Sequence, residues 1–189
     1  MNAEILAVGT ELLLGDTLNT NAQYISKELA GLGIPVYYQS VVGDNPQRLL
    51  KALELGYSRA DLIITTGGLG PTKDDLTKET VAKYFGREMV LHEECMRILK
   101  EHFTSMGREM TKNNEKQAFM PKGAIVIPNN NGTAPGCIIE DNGRVLIMLP
   151  GPPREVKPMF DETVGPYLST KTDQKYVSRV LRIIGVGES

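Results

Sequence analysis

The sequence has 189 residues, which is enough for one well-buried domain with a short additional segment. Its apolar fraction of 41% is ordinary for a globular protein, and its formal net charge of −2 provides no basic field that would attract nucleic acid. No apolar run approaches the roughly 20 residues of a membrane helix, and the N-terminus lacks the parts of a signal peptide. We therefore expect a cytoplasmic protein without a nucleic-acid or membrane partner.

Short apolar runs alternate with helix-period segments in the first half of the chain. Ile5–Val8 predicts a buried strand that ends at Gly9, and Val36–Val42 and Leu62–Thr66 predict two further strands. A β-α-β-α-β-α order favours right-handed crossovers, and these produce a parallel sheet covered on both faces. The predicted fold is a three-layer α/β/α sandwich with a mostly parallel sheet.

The helices of this half are predicted from their caps. Asn19 or Thr20 is suited to cap the first helix, which ends near Gly33. Asn45 followed by Pro46 predicts a cap and a first helical position, so the second helix begins there. Two further helices are predicted near Asp75–Phe85 and His92–Ser105.

The second half of the chain has a different pattern. A short strand is predicted at Ala124–Ile127, and the turn Asp141-Asn142-Gly143 predicts a β-hairpin between Cys137–Glu140 and Arg144–Leu149. The helical stretch after Pro150–Pro153 is expected to be interrupted by Pro158. We assign residues 1–168 to one domain, and residues 169–189 to a linker and the first strand, Tyr176–Ile184, of a following domain. The alternative is that this strand adds to a sheet edge.

The cysteines and histidines do not form a metal-binding pattern. Cys95 and Cys137 lie far apart and outside any C-x-x-C motif, which predicts two free buried thiols. On one helix, His92 and His102 would be separated by roughly 15 Å along the axis and could not share an ion. Zinc chemistry of the His/Cys type is not expected.

Two acidic loops follow the first two predicted strands, at the edge where doubly wound sheets bind ligands. Gly9 lets a ligand approach the backbone, and Glu11 and Asp16 place carboxylates nearby, although an ordinary turn with solvated acids is the alternative. In the second loop Asn45 takes the capping position. Asp44 is then left without a structural task, which favours a metal or ligand role for it.

A glycine-rich loop follows the third strand. Gly67-Gly68-Leu69-Gly70 can expose backbone N–H groups to phosphate oxygens, and Thr72 and Lys73 add a hydroxyl and a positive charge. Asp74 and Asp75 would repel a bare phosphate, but they are suitable if a divalent cation lies between carboxylate and phosphate. The alternative is that both aspartates cap the helix.

The fourth candidate region combines Asn129–Gly136 with Leu149–Glu155, whose polar side chains and stiff prolines suit a flat polar ring and a ribose. A pair of tight turns is the alternative. The sequence contains neither a G-x-x-x-x-G-K-[ST] phosphate loop nor a G-x-S-x-G nucleophile elbow.

These loops together resemble the N-terminal domain of the competence/damage-inducible CinA family and, more distantly, the MogA/MoaB type of molybdopterin-binding domain. The resemblance covers nearly the whole chain. It is carried by Gly9–Gln23, Thr65–Thr77, Asn131–Gly136 and Leu149–Phe160.

The resemblance implies a nucleotide pocket at the carboxyl ends of the strands and a pyrophosphatase that acts on ADP-ribose. It also implies a divalent metal ion (Mg, Co or Mn) as cofactor, with help from potassium. By motif, the two aspartates that serve the metal in the molybdopterin relatives match Asp44 and Asp75. The family usually continues into a middle domain and an amidohydrolase domain. We expect neither here, and hence no amide hydrolysis.

The resulting hypothesis is hydrolysis of ADP-ribose, or of a related adenine dinucleotide such as FAD; the products from ADP-ribose are AMP and ribose 5-phosphate. Asp44 and Asp75 would hold the metal ion, Lys73 and the loop amides the pyrophosphate, and Glu11 or Asp74 would accept a proton from water. The predicted nucleotide contacts are Gly9, Thr10, Gly67, Gly68, Gly70, Thr72, Asn131, Gly132, Thr133, Pro150, Gly151 and Pro152.

Two alternatives are kept open. They are adenylyl transfer to molybdopterin and a non-catalytic nucleotide-binding module that regulates an attached domain. The sequence also leaves the oligomeric state open, and a homo-oligomer is one of the possibilities.

Overall fold

The structure of the protein is a computed structural model that describes residues 1–172. The expected strand Tyr176–Ile184 lies outside the described residues. The strands are as follows. In chain order they are β1 (Ala3–Val8), β2 (Val36–Val42), β3 (Leu62–Thr66), β4 (Met89–Leu91), β5 (Phe119–Pro121), β6 (Ile125–Ile127), β7 (Gly136–Asp141) and β8 (Arg144–Leu149). The sheet of six strands has the order β2-β1-β3-β8-β7-β6, and β4 pairs with β5 in a separate ribbon.

The central sheet is parallel across β2, β1, β3 and β8 and antiparallel from β8 through β7 to β6. Every residue of β1 and β3 is buried, because both faces of the sheet are covered. The predicted mostly parallel sheet is therefore confirmed, as is the hairpin between β7 and β8.

Helices cover both faces of the sheet. They are α1 (Thr10–Leu14), α2 (Thr20–Gly31), α3 (Pro46–Tyr57), α4 (Thr77–Tyr84), α5 (Glu93–Ser105), α6 (Lys112–Glu115), α7 (Pro153–Met159) and α8 (Gly165–Ser169), with a 3₁₀ turn at Lys116–Ala118 and a π-helical turn at Phe160–Val164. One face of the sheet packs Ile5 and Ile64 against α2 and α7, and the other packs Leu6 and Ile63 against α3 and α4. The three-layer prediction is thus confirmed.

The predicted helix caps are also observed. The side chain of Asn19 accepts a hydrogen bond from the Ala22 N–H at 3.1 Å, and that of Asn45 accepts one from Arg48 at 3.0 Å. These caps satisfy N–H groups that have no partner within the helix. No helix among residues 1–172 combines the length and apolar character needed to cross a membrane.

The expected interruption at Pro158 is wrong, because α7 contains Pro158 and continues into the π-helical turn and α8. Proline removes the N–H that would bond the carbonyl four residues earlier. That carbonyl belongs to Arg154, and it accepts a hydrogen bond from the Asn131 side chain at 3.3 Å instead. A contact from a distant loop therefore compensates for the missing donor.

Candidate functional site

The carboxyl ends of β1, β2, β3 and β8 meet at one edge of the sheet, and their loops enclose a cleft of about 400 Å³. The loops are tied together by backbone hydrogen bonds from Gly9 N to Val42 O at 2.9 Å and from Gly67 N to Leu149 O at 3.0 Å. The loop before β7 reaches the same edge. Five loops that are distant in sequence therefore form one cavity.

Most of the sequence-predicted site residues line this cleft. Those that do are Gly9, Glu11, Asp44, Gly67, Gly68, Gly70, Thr72, Asp74, Asp75, Thr133, Pro150, Gly151 and Pro152. Four others do not line it: Lys73 is exposed, Thr10 donates to Asp44, Asn131 bonds α7, and Gly132 lines a neighbouring groove. Their predicted roles as direct contacts have no support from this arrangement.

The Gly67-Gly68 pair shapes the floor of the cleft. Both residues have positive φ angles, 101° and 70°. A Cβ on Gly67 would lie 2.1 Å from the carbonyl oxygen of Val8, and one on Gly68 would lie 2.1 Å from Thr77 Oγ1. Thr77 Oγ1 in turn donates to the Gly67 carbonyl at 3.0 Å. Only glycine fits this turn, which brings the backbone to the cavity surface.

Asp44 does have a structural task, contrary to the sequence prediction. Its Oδ2 accepts hydrogen bonds from the N–H of Thr10 at 2.9 Å and from Thr10 Oγ1 at 2.8 Å. The bonds secure the beginning of α1, a short helix that the sequence did not predict. Among the described residues no hydrogen bond reaches Asp44 Oδ1, so this oxygen can contact a ligand.

Asp75 is arranged in the same way. Its Oδ2 accepts hydrogen bonds from the N–H of Thr72 at 2.9 Å and from Thr72 Oγ1 at 2.5 Å. The N-cap of α4 is Leu76, without a side-chain cap, so helix capping by Asp74 and Asp75 is wrong. No hydrogen bond within residues 1–172 reaches Asp75 Oδ1. Each of these two aspartates thus has its own threonine partner on Oδ2 and an Oδ1 that is available to a ligand.

Three carboxylates fold back over glycines of the site. A Cβ on Gly9 would lie 2.5 Å from the Glu11 carboxylate, and one on Gly70 would lie 2.6 Å from that of Asp75. The third carboxylate is that of Glu155, 2.3 Å from a Cβ on Gly132. Sequence reasoning missed Glu155, although its position just after β8 places it at the ligand-binding edge. Its buried side chain accepts a hydrogen bond from Asn129 at 2.8 Å.

Two lysines hold the glycine-rich loop and its surroundings from behind. Lys116 Nζ donates to the carbonyl oxygens of Thr72, at 3.0 Å, and of Asp75. Lys78 is fully buried and donates to the carbonyl oxygen of Gln117 at 2.7 Å. Burial lowers the pKa of Lys78 to about 8, because the charged form loses its hydration. The Gln117 side chain lines the cleft, so Lys78 supports the site indirectly.

The lining of the cleft is acidic. Glu11, Asp44, Asp74, Asp75 and Glu155 line it, and within residues 1–172 neither lysine nor arginine does. No three His, Cys, Asp or Glu side chains of the described part are already close enough to hold a metal ion. Mg²⁺ is commonly bound by one or two carboxylates together with substrate phosphates. Asp44 and Asp75 fit this mode, since hard oxygen donors suit Mg²⁺ and Mn²⁺.

Comparisons with known proteins agree with this architecture. A family described as a probable molybdopterin binding domain matches residues 4–170. A putative competence-damage inducible protein of Clostridium beijerinckii is 59% identical over 189 residues, which is 100% of this chain and 46% of that protein. A CinA-like protein of Dictyoglomus turgidum has the same identity and coverage. The chain thus spans about half the length of the curated relatives it matches.

Two solved structures have the same fold. The first is the CinA protein of Thermoplasma acidophilum, described as of unknown function, with a TM-score of 0.80, 34% identity, and coverage of 87% of this chain and 96% of that one. The second is the molybdopterin biosynthesis enzyme MoaB of Thermus thermophilus, with a TM-score of 0.59, 22% identity, and coverage of 93% and 99%. At 22% identity the second likeness concerns the fold alone.

Proposed function

Since the chain belongs to the family of probable molybdopterin-binding domains and, within it, to the CinA group, we propose that it is a metal-dependent nucleotide pyrophosphatase. Its substrate is ADP-ribose or a related adenine dinucleotide. The products from ADP-ribose are AMP and ribose 5-phosphate.

The observation that carries this proposal is an acidic cleft built on glycine turns. Five carboxylates line a cavity whose floor is the Gly67-Gly68 backbone. A pyrophosphate group would be repelled by these carboxylates, because like charges a few ångströms apart interact unfavourably even in a partly hydrated site. A divalent cation removes that repulsion, so the same residues that exclude a bare phosphate favour a metal-bound one.

Each residue type has a distinct task in this mechanism. Asp44 and Asp75 would hold the cation, since each keeps one carboxylate oxygen that is not bonded to Thr10 or Thr72. When bound, the cation neutralises charge on the phosphate oxygens. The glycine turn lets the phosphates approach the backbone without a side chain between them.

The reaction needs only water as co-reactant. The water oxygen attacks one phosphorus atom, the bond from that phosphorus to the bridging oxygen breaks, and the bridging oxygen leaves with the other phosphate. One proton of the water passes to a carboxylate of the cleft. Glu11 and Asp74 remain the candidates for this base, and Glu155 is added because it lines the same cavity.

The decisive experiment measures AMP release from ADP-ribose with Mg²⁺, Mn²⁺ or Co²⁺, with and without potassium. We expect Asp44→Asn and Asp75→Asn each to lower kcat/KM by roughly 100-fold or more, since each loses a charged metal ligand. Asp141→Asn is the matched control, because Asp141 lies in the β7–β8 turn at the other end of the strands and should leave the rate unchanged. Undiminished turnover in Asp75→Asn would contradict the proposed site.

The two alternatives have their own signatures in this assay. Tight binding of molybdopterin without AMP release would favour adenylyl transfer. Binding of ADP-ribose with no product under any of the three metals would favour a non-catalytic nucleotide-binding module.

A further inference from the structure

A second cavity of about 450 Å³ adjoins the cleft on the side of α5. The α5 wall includes His92, Cys95, Leu99 and His102, whose spacing of three or four residues places them on one face of the helix. The opposite wall is formed by β6 and the segment that follows it. We call this cavity the α5 groove. Its volume is within the range of small-molecule sites.

The α5 groove and the acidic cleft share one wall, residues 129–134. Thr133 lines both cavities, and its Oγ1 accepts a hydrogen bond from the Gln117 side chain at 3.0 Å. Asn129, which lines the groove, donates to the cleft residue Glu155 at 2.8 Å and to the Ala134 carbonyl at 2.9 Å. The shared wall is therefore held in place by hydrogen bonds from both sides, and the two cavities adjoin at Thr133.

The chemistry of the α5 groove differs from that of the cleft. Leu99, Ile98 and Val126 provide apolar surface, whereas amides and imidazoles provide polar edges. His92 Nδ1 accepts a hydrogen bond from the Cys95 N–H at 3.3 Å, which leaves Nε2 of the neutral ring to carry the proton. Among residues 1–172, Glu94 provides the one carboxylate of the groove, and it is paired with Arg97 at 2.6 Å. Such a lining suits an uncharged flat ring with polar edges.

We propose that the α5 groove binds the purine base of the nucleotide whose phosphates occupy the acidic cleft. This inference rests on the proposed function, and it adds the place of the purine base, which lies across Thr133 from the phosphates. The faces of the ring contact the apolar side chains. Its nitrogen atoms meet the donors of His92 and Asn130.

A tryptophan reporter tests the α5 groove directly, because the chain contains no tryptophan. Ile98 lines the groove and is 48% exposed, so Ile98→Trp introduces one fluorophore at the rim. We expect AMP and ADP-ribose to quench its fluorescence by stacking, and ribose 5-phosphate, which has no base, to leave it unchanged. Leu55→Trp, which lies on α3 and is 56% exposed, is the control and should not respond. Equal quenching in both variants would overturn the proposal.

A pair of neighbouring residues on β6 provides a second test. Val126 lines the α5 groove, whereas Ile125 is 49% exposed and points to the opposite face. In calorimetric titrations, Val126→Phe should weaken AMP binding at least tenfold and leave ribose 5-phosphate binding unchanged, because the larger ring fills the groove. Ile125→Phe should change neither affinity. Unaltered AMP binding in a folded Val126→Phe protein would refute base binding in the groove.

The two proposals fail in different ways. If the Ile98→Trp protein is quenched by AMP but the native protein releases no AMP from ADP-ribose, the hydrolysis proposal is wrong and the base site stands. If AMP is released but neither reporter nor titration responds to the base, the base site is wrong and the hydrolysis proposal stands.

Discussion

At the scale of single residues, Gly67 and Gly143 both have a positive φ, but only Gly67 also has no space for a side chain. Its φ is 101° and an added Cβ would lie 2.1 Å from the Val8 carbonyl, whereas Gly143 has a φ of 79° with nothing within 4 Å of an added Cβ. Gly143→Ala should cost about 1 kcal/mol, the usual cost of a left-handed non-glycine residue. Gly67→Ala should cost more than about 3 kcal/mol, since the strand ends must also move. Urea unfolding checks both, and equal losses would contradict the close approach.

The buried Lys78 should make the stability of the protein depend on pH. Its pKa in the folded protein, about 8, lies below the ordinary value of 10.5, mainly because burial removes hydration from the charged form. The fold therefore disfavours the charged lysine. This cost is fully present below pH 8 and fades as the pH rises toward 10.5. Between about pH 7 and 9.5 the free energy of unfolding should rise by roughly 2 kcal/mol more in the native protein than in Lys78→Met.

The comparison with Lys78→Met is needed because Cys95 and Cys137 act in the opposite direction. Burial raises the pKa of both thiols, to about 12 for Cys137, so their ionisation in the unfolded chain lowers stability above about pH 9. Both proteins keep these cysteines, and their contribution cancels in the difference. Parallel pH curves from urea midpoints would mean that Lys78 does not titrate in this range.

At the scale of elements, the parts predicted from the sequence are those whose signals are local. The cap at Asn45, the proline at position 46 and the apolar run of β3 each lie within the element they define. The helix α1 was missed because its beginning is secured by Asp44, which is 34 positions away along the chain. The β4–β5 ribbon was missed for a similar reason, since two three-residue strands show too few alternations to be recognised.

The same distinction applies to the candidate site. Glycines and aspartates placed just after strands could be predicted to share an edge, and most of them line one cleft. The side-chain partners of these residues could not be predicted, because Thr10 and Asp44 belong to different loops. Lys73 was chosen for its charge and position alone, and its exposed side chain does not line the cleft.

The loop between β3 and α4 is held by Lys116, so its rigidity should depend on this side chain. Lys116 Nζ donates to the carbonyls of Thr72 and Asp75, and hydrogen bonds to charged groups contribute roughly 1.5–3 kcal/mol. Lys116→Met should therefore increase amide hydrogen exchange across residues 69–76 by about tenfold or more, while β3 keeps its protection. Lys112→Met, at an exposed position of the preceding helix, is the control. Unchanged exchange in Lys116→Met would show that the loop is rigid without this lysine.

At the scale of the whole molecule, the two free cysteines report how the layers open. Cys137 is fully buried in the central sheet, and Cys95 is 7% exposed on the outer helix α5 beside the α5 groove. Local opening of an outer helix requires less free energy than unfolding of a central strand. With iodoacetamide at about pH 7.5 and peptide mass spectrometry, Cys95 should be modified before Cys137. Modification of Cys137 should be slowed by a factor of roughly 1,000 or more relative to the unfolded chain, because it requires global unfolding. Equal rates of modification of Cys95 and Cys137 would mean instead that α5 and the sheet open together.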